Sequence, residues 1–146
     1  MARRLSIENN IKNYEIDSIV HDDNNNVKRS IEEQIAIIDE INRSNNWIIE
    51  GTLRKKLDIL LDMADLIIYI DISVIIRKRR IIWRFIKQKL RIEKCNYKST
   101  LKLLRQMYLW TDEFEKNKLH FENRLAKYNK KLIRLDTVMK VNSYKL

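Results

Sequence analysis

Three carboxylates fall where short apolar runs of this chain stop: Asp17 after Tyr14-Glu15-Ile16, Glu50 after Trp47-Ile48-Ile49, and Asp71 after the run 66–70. In an open α/β sheet, ligands bind beyond the carboxyl ends of the strands, so acids at such ends are candidates for ligand contact. Gly51 directly follows Glu50 and is the only glycine among 146 residues. A glycine there lets the backbone turn sharply and lets a substrate approach where a Cβ would otherwise stand. The plain alternative is a turn residue beside a solvated strand end. A second group is basic: Arg80 and Arg84 are one helical turn apart, so both guanidinium groups can reach one anion, with Arg77 on the same side. Its alternative is a solvated basic surface.

The elements that must position these residues follow from periodicity and end signals. Residues 2–10 read as a short helix with no capping residue before it. Tyr14-Glu15-Ile16 is a short strand ending at Asp17, and residues 22–26 are a polar loop. Ser30 and Glu33 form a capping box ahead of a helix that buries Ile31, Ile35, Ile38 and Ile41 and runs to about Asn42. Trp47-Ile48-Ile49 is a strand. Thr52 can cap a helix with Leu53, Leu57, Leu60 and Leu61 as its buried stripe. The run 66–70 is apolar throughout, which predicts a strand covered on both faces. A basic helix is expected from Val74 to about Lys94, a long helix from Ser99 to Tyr128, a strand from Leu132 to Leu135, and a helical tail from Val138. Trp83 and Phe85 sit at the spacing of buried anchors, and base stacking is the alternative use of them.

This alternation predicts one α/β domain over residues 1–146 with a parallel sheet. It opens on a helix where a strand is expected, so the sheet reads as missing a central first strand. The chain is 45% hydrophobic and 34% charged, which excludes a disordered protein. With no proline and one glycine, tight turns and phosphate-cradling loops are nearly unavailable. One cysteine, Cys95, excludes a disulfide framework. His21 and His120 lack any flanking ligand pattern. The apolar runs are too short to span a bilayer, so no membrane partner is expected and a cytoplasmic location is the default. A net charge of +10 implies a polyanionic partner. Nine basic residues lie between Arg77 and Lys94, against the single acid Glu93.

The runs W47-I-I-E-G-T52 and A64-D-L-I-I-Y-I-D71, followed by the pair Arg80 and Arg84, resemble the topology-modulation-type proteins, small P-loop kinases related to adenylate kinase. Residues 14–20, Y-E-I-D-S-I-V, are similar to that family's strand ending in L-D-x-apolar-apolar. Met1-Ala2-Arg3-Arg4-Leu5-Ser6 resembles the helix that follows its G-x-x-x-x-G-K-[ST] loop. The likeness covers most of residues 1–95 and loosely the last strand. Glu50 stands where the family usually has Asp, Val74 where a basic residue is common, and the lid's Gly and Pro are missing around residues 91–96.

The resemblance implies a three-layer P-loop NTPase-like fold and, in a complete member, transfer of a phosphoryl group from ATP with Mg²⁺ to a small acceptor such as a nucleotide or nucleoside. It implies Asp17 as an acceptor-side or Mg²⁺-linked carboxylate and Glu50 as the residue behind the metal's water shell. Arg80 and Arg84 would close over the phosphates, with Gly51, Thr52 and Arg77 on the substrate. The phosphate loop itself has no counterpart here, so the chain reads as a truncated or degenerate member, inactive in ATP turnover, and no cofactor is supported by these residues alone. The alternative from the residues is a non-enzymatic nucleic-acid-binding protein that uses the helix from Arg77 to Lys94.

Overall fold

A computed structural model describes residues 1–22, 27–54, 56–90, 92 and 100–146. The chain is α/β and mostly helical. It divides into two compact units, one of residues 1–67 with 142–146, the other of residues 68–141.

In the first unit, α1 (Ala2–Asn9) begins without a side-chain cap and ends at Asn10, which takes the left-handed conformation with φ 54°. Asn tolerates that region because its short polar side chain bonds locally. Asn45 does the same at φ 63°. Asparagine thus supplies turns for which this glycine-poor chain has no glycine. β1 (Lys12–Glu15) and β2 (Trp47–Glu50) pair in parallel, with Lys12 opposite Trp47 and Glu15 opposite Glu50.

Between them run α2 (Ile16–Val20) and α3 (Ile31–Arg43). α3 starts at the expected capping box: Glu33 N–H donates to Ser30 Oγ at 3.2 Å, and Ser30 N–H donates to Glu33 Oε2 at 2.7 Å. Ile38 and Ile41 are buried as expected, but the third buried position is Gln34, whose Nε2 donates to Arg29 O at 2.8 Å. Arg29 in turn donates to the carbonyls of Ser18, Ile19 and His21, closing the end of α2. The core joins Ile16, Ile19, Val20, Ile38, Ile41, Leu57 and Leu60, with Tyr14, Trp47 and Ile49 packed on it.

Two expectations are corrected here. The strand from Tyr14 stops at Glu15, and Ile16 and Asp17 open α2 instead. Ile16, Ile19 and Val20 are all buried, at helical spacing, so burial of that stripe overrides the strand preference. The helix expected from Thr52 is confined to α4 (Ile59–Met63), and Thr52 caps no helix among the described residues. Leu57, Leu60 and Leu61 are buried, so the leucines reach the core with residues 52–54 outside any helix.

In the second unit, β3 (Ile67–Ile70) pairs with β4 (Leu132–Leu135), again in parallel. Of β3 only Tyr69 is buried and Ile70 is exposed, so the strand is not covered on both faces. Among the described residues it has one strand neighbour, where a full sheet would give two. α5 (Val74–Lys89) and α6 (Leu101–Leu125) form an antiparallel hairpin. A kinked 3₁₀ segment (Ala126–Lys131) leads into β4, and α7 (Val138–Ser143) follows. Tyr69 and Phe121, and Phe121 and Phe114, meet edge to face with centroids 5.5 and 5.6 Å apart. The single parallel sheet expected from the alternation is thus two parallel pairs among the described residues, and β2 and β3 do not pair.

Candidate functional site

The parallel register of β1 and β2 brings two carboxylates side by side at the carboxyl end of the pair, Glu15 opposite Glu50. Asn13 Nδ2 donates to Glu50 Oε1 at 3.0 Å, which fixes the Glu50 side chain, while Asn13 Oδ1 is buried without a partner. Glu15 is the carboxylate at the true end of β1, one that the strand boundary drawn at Asp17 leaves out. Asp17 lies further on, in the first turn of α2, where its carboxylate is 71% exposed and paired with Arg54 Nη2 at 2.9 Å. The pair ties the segment after β2 to α2.

Gly51 has φ 133°, a region that L side chains rarely adopt. A Cβ built on it would stand 3.1 Å from Ile16 Cβ. Close packing on α2 and the sharp turn therefore explain the glycine without a ligand. Thr52 is exposed beside it. The residues do not fit the phosphates of ATP: a cradle needs a run of backbone N–H groups freed by several glycines, and Gly51 is the only one. Nor do they form a metal site, since no group of three or more His, Cys, Asp or Glu side chains is gathered to hold an ion among the described residues.

In the second unit, Asp71 is the centre of an ionic cluster. Its carboxylate, 8% exposed, contacts Lys118 Nζ at 2.6 Å and the Arg134 guanidinium, which also reaches Glu122 at 2.9 Å. Burial pushes the Asp71 carboxyl up, but hydrogen bonds from Lys118 and Arg134 outweigh it and hold the carboxyl below the usual carboxylate range. Burial, then the charges of Asp71 and Glu122, push the Tyr69 phenol up to about 12. Tyr69, Glu122 and Arg134 line a shallow pocket of about 130 Å³. Asp71 is occupied in holding β3, β4 and α6 together.

The three candidate arginines of α5, Arg77, Arg80 and Arg84, separate by role. Arg77 turns inward: its Nε donates to Ile72 O at 3.0 Å, its guanidinium pairs with Glu115, and it lies 5.1 Å over the Phe114 ring. It anchors the hairpin, and its expected place on a substrate has to compete with these contacts. Lys78 is tied to Asp112 at 2.5 Å. Arg80 is exposed. Arg84, one turn on, borders the groove between α5 and α6 with Phe85, Gln88 and Met107. Asp17, Glu50, Gly51 and Thr52 are thus gathered in the first unit, and Arg77, Arg80 and Arg84 in the second.

Trp83 is corrected from a buried anchor to an exposed side chain, 60% accessible, with Lys87 Nζ 5.7 Å over its ring. Phe85 is half-buried as an anchor would be. α5 ends at Lys89, and Arg91, Glu93 and Lys94 of the expected basic helix lie outside the described residues. So do Asp23 to Asn26 of the polar loop, and Cys95. Comparison with models of known protein families, with characterised proteins and with solved structures finds no match.

Proposed function

We propose that this chain is a P-loop kinase-like protein without the phosphate loop, and that its remaining site recognises the phosphate of a nucleotide or another small phosphorylated molecule through Arg80 and Arg84. The observation that carries the reading is the strand pairing. β1 with β2 and β3 with β4 are each parallel and joined by helical connections, while the sequence neighbours β2 and β3 stay unpaired. A doubly wound sheet gives this pattern when a strand that pairs with both β2 and β3 is not among its members. Glu50 sits at the carboxyl end of β2, where such sheets bind ligands. ATP with Mg²⁺ would be the donor in a complete relative, and these residues supply no cradle for it.

A chimera tests the reading. A β-strand and a G-x-x-x-x-G-K-[ST] loop placed ahead of Ala2 should confer ATP binding on the chain, and the unmodified 146 residues should show no ATP turnover. A chimera that folds and binds no ATP overturns the proposal.

A further inference from the structure

The outer face of α5 has a composition that its packing does not explain. No residue of the helix is buried, and Ile75, Ile82, Trp83, Ile86 and Leu90 are all exposed, Ile75 at 66% and Leu90 at 64%. Positions 75, 82, 86 and 90, with 83 beside them, fall on one side of a helix of 3.6 residues per turn. This stripe runs the length of the element, opposite the side on which Ile81, Phe85 and Gln88 meet α6. Cations interrupt and border it: Arg79 lies on the stripe, Arg80 and Lys87 on one border, and Lys89 on the other, with no acid anywhere in Val74–Lys89.

We propose that this face is a docking surface for an anionic lipid bilayer, with α5 lying in the headgroup layer. A basic helix with an apolar side and an amphipathic aromatic residue has the composition of an interfacial helix. The isoleucines and Leu90 enter the acyl boundary, Trp83 takes the headgroup level, and the Arg and Lys side chains extend outward to lipid phosphates. The short apolar runs that predict no membrane partner bear on spanning, and no helix among the described residues is long and apolar enough to cross a membrane. An interfacial helix needs one apolar side only. A second copy fits this face poorly, because two such helices would bring like charges together. A nucleic acid would answer the cations and leave the stripe of Ile75, Ile82, Ile86 and Leu90 in water. The inference does not rest on the kinase-like reading.

Co-sedimentation of the full 146-residue chain with vesicles tests it. Vesicles of phosphatidylcholine mixed with phosphatidylserine should bind the protein, and phosphatidylcholine alone should not. Trp83 emission should shift to the blue on binding, a shift lost in Trp83→Phe. Ile82→Ser and Ile86→Ser, exposed sites where circular dichroism should show the fold intact, should each weaken partition about tenfold, from the apolar area they remove. Arg79→Glu with Lys87→Glu should abolish it. Arg84→Ala, on the side of the helix that faces α6, should change vesicle binding far less than nucleotide binding, so the two readings fail separately. No sedimentation with the serine-lipid vesicles overturns the proposal. So does binding of a single-stranded oligonucleotide that ignores Ile82→Ser and Ile86→Ser while the vesicles bind nothing, or a dimer in solution that either substitution dissociates.

Discussion

Gly51 holds φ at 133° with Ile16 Cβ 3.1 Å from where its own Cβ would be. Gly51→Ala therefore meets both backbone strain and a clash, and should lower stability by about 1–3 kcal/mol, read as a fall in the urea midpoint. An unchanged midpoint would show that the turn relaxes freely. Asp71 makes the sharpest electrostatic prediction. Asp71→Asn leaves Lys118 and Arg134 facing a neutral partner, and should cost about 1–3 kcal/mol at neutral pH, discounted for the half-exposed Arg134. Because the folded state holds this carboxyl below its ordinary value, the stability it contributes is full above the unfolded value near 4 and is lost as pH falls through the folded one. The gap between wild type and Asp71→Asn should thus be constant from neutral pH to about 5 and close in acid. A gap that stays constant into strong acid would remove Asp71 from this role.

The capping box of α3 is the clearest case of an element set by its own end signals. Ser30→Ala removes the acceptor for Glu33 N–H and should lower the melting temperature by an amount equivalent to about 1 kcal/mol, with Ser30→Gly milder. Ser30 and Glu33 are legible in the sequence because each satisfies the other's backbone group within one helical turn. The strand at residues 47–50 and the last strand are legible as apolar runs with polar ends. α2 is misread because Tyr14-Glu15-Ile16 has strand preference, and only the contact of Ile16, Ile19 and Val20 with α3 decides for helix. Asp17 moves off its strand end for that reason. Arg29 and Gln34 give no signal, since their partners are backbone carbonyls that the fold alone brings into reach. For α5, helical spacing marks Trp83 and Phe85 as anchors, but periodicity does not say whether anything covers them, and only Phe85 is half-buried.

For the whole molecule, the alternation of strands and helices predicts α/β architecture, and two parallel strand pairs are present. The division into two units is not legible in the sequence, because no glycine, proline or polar linker marks the boundary inside β3. The charge of +10 is concentrated on α5, where Arg77 and Lys78 are neutralised by α6 while Arg79 and Arg80 make no ion pair among the described residues. The proposed recognition of a small molecule's phosphate by Arg80 and Arg84 can be measured by calorimetric titration of the 146-residue chain with nucleoside mono- and diphosphates, with a single-stranded oligonucleotide in parallel. A mononucleotide should bind saturably, with affinity that falls about tenfold or more in Arg80→Ala and Arg84→Ala and little in Lys87→Ala or Lys89→Ala. Binding of the oligonucleotide alone, falling steeply with salt and equally sensitive to all four substitutions, would contradict it.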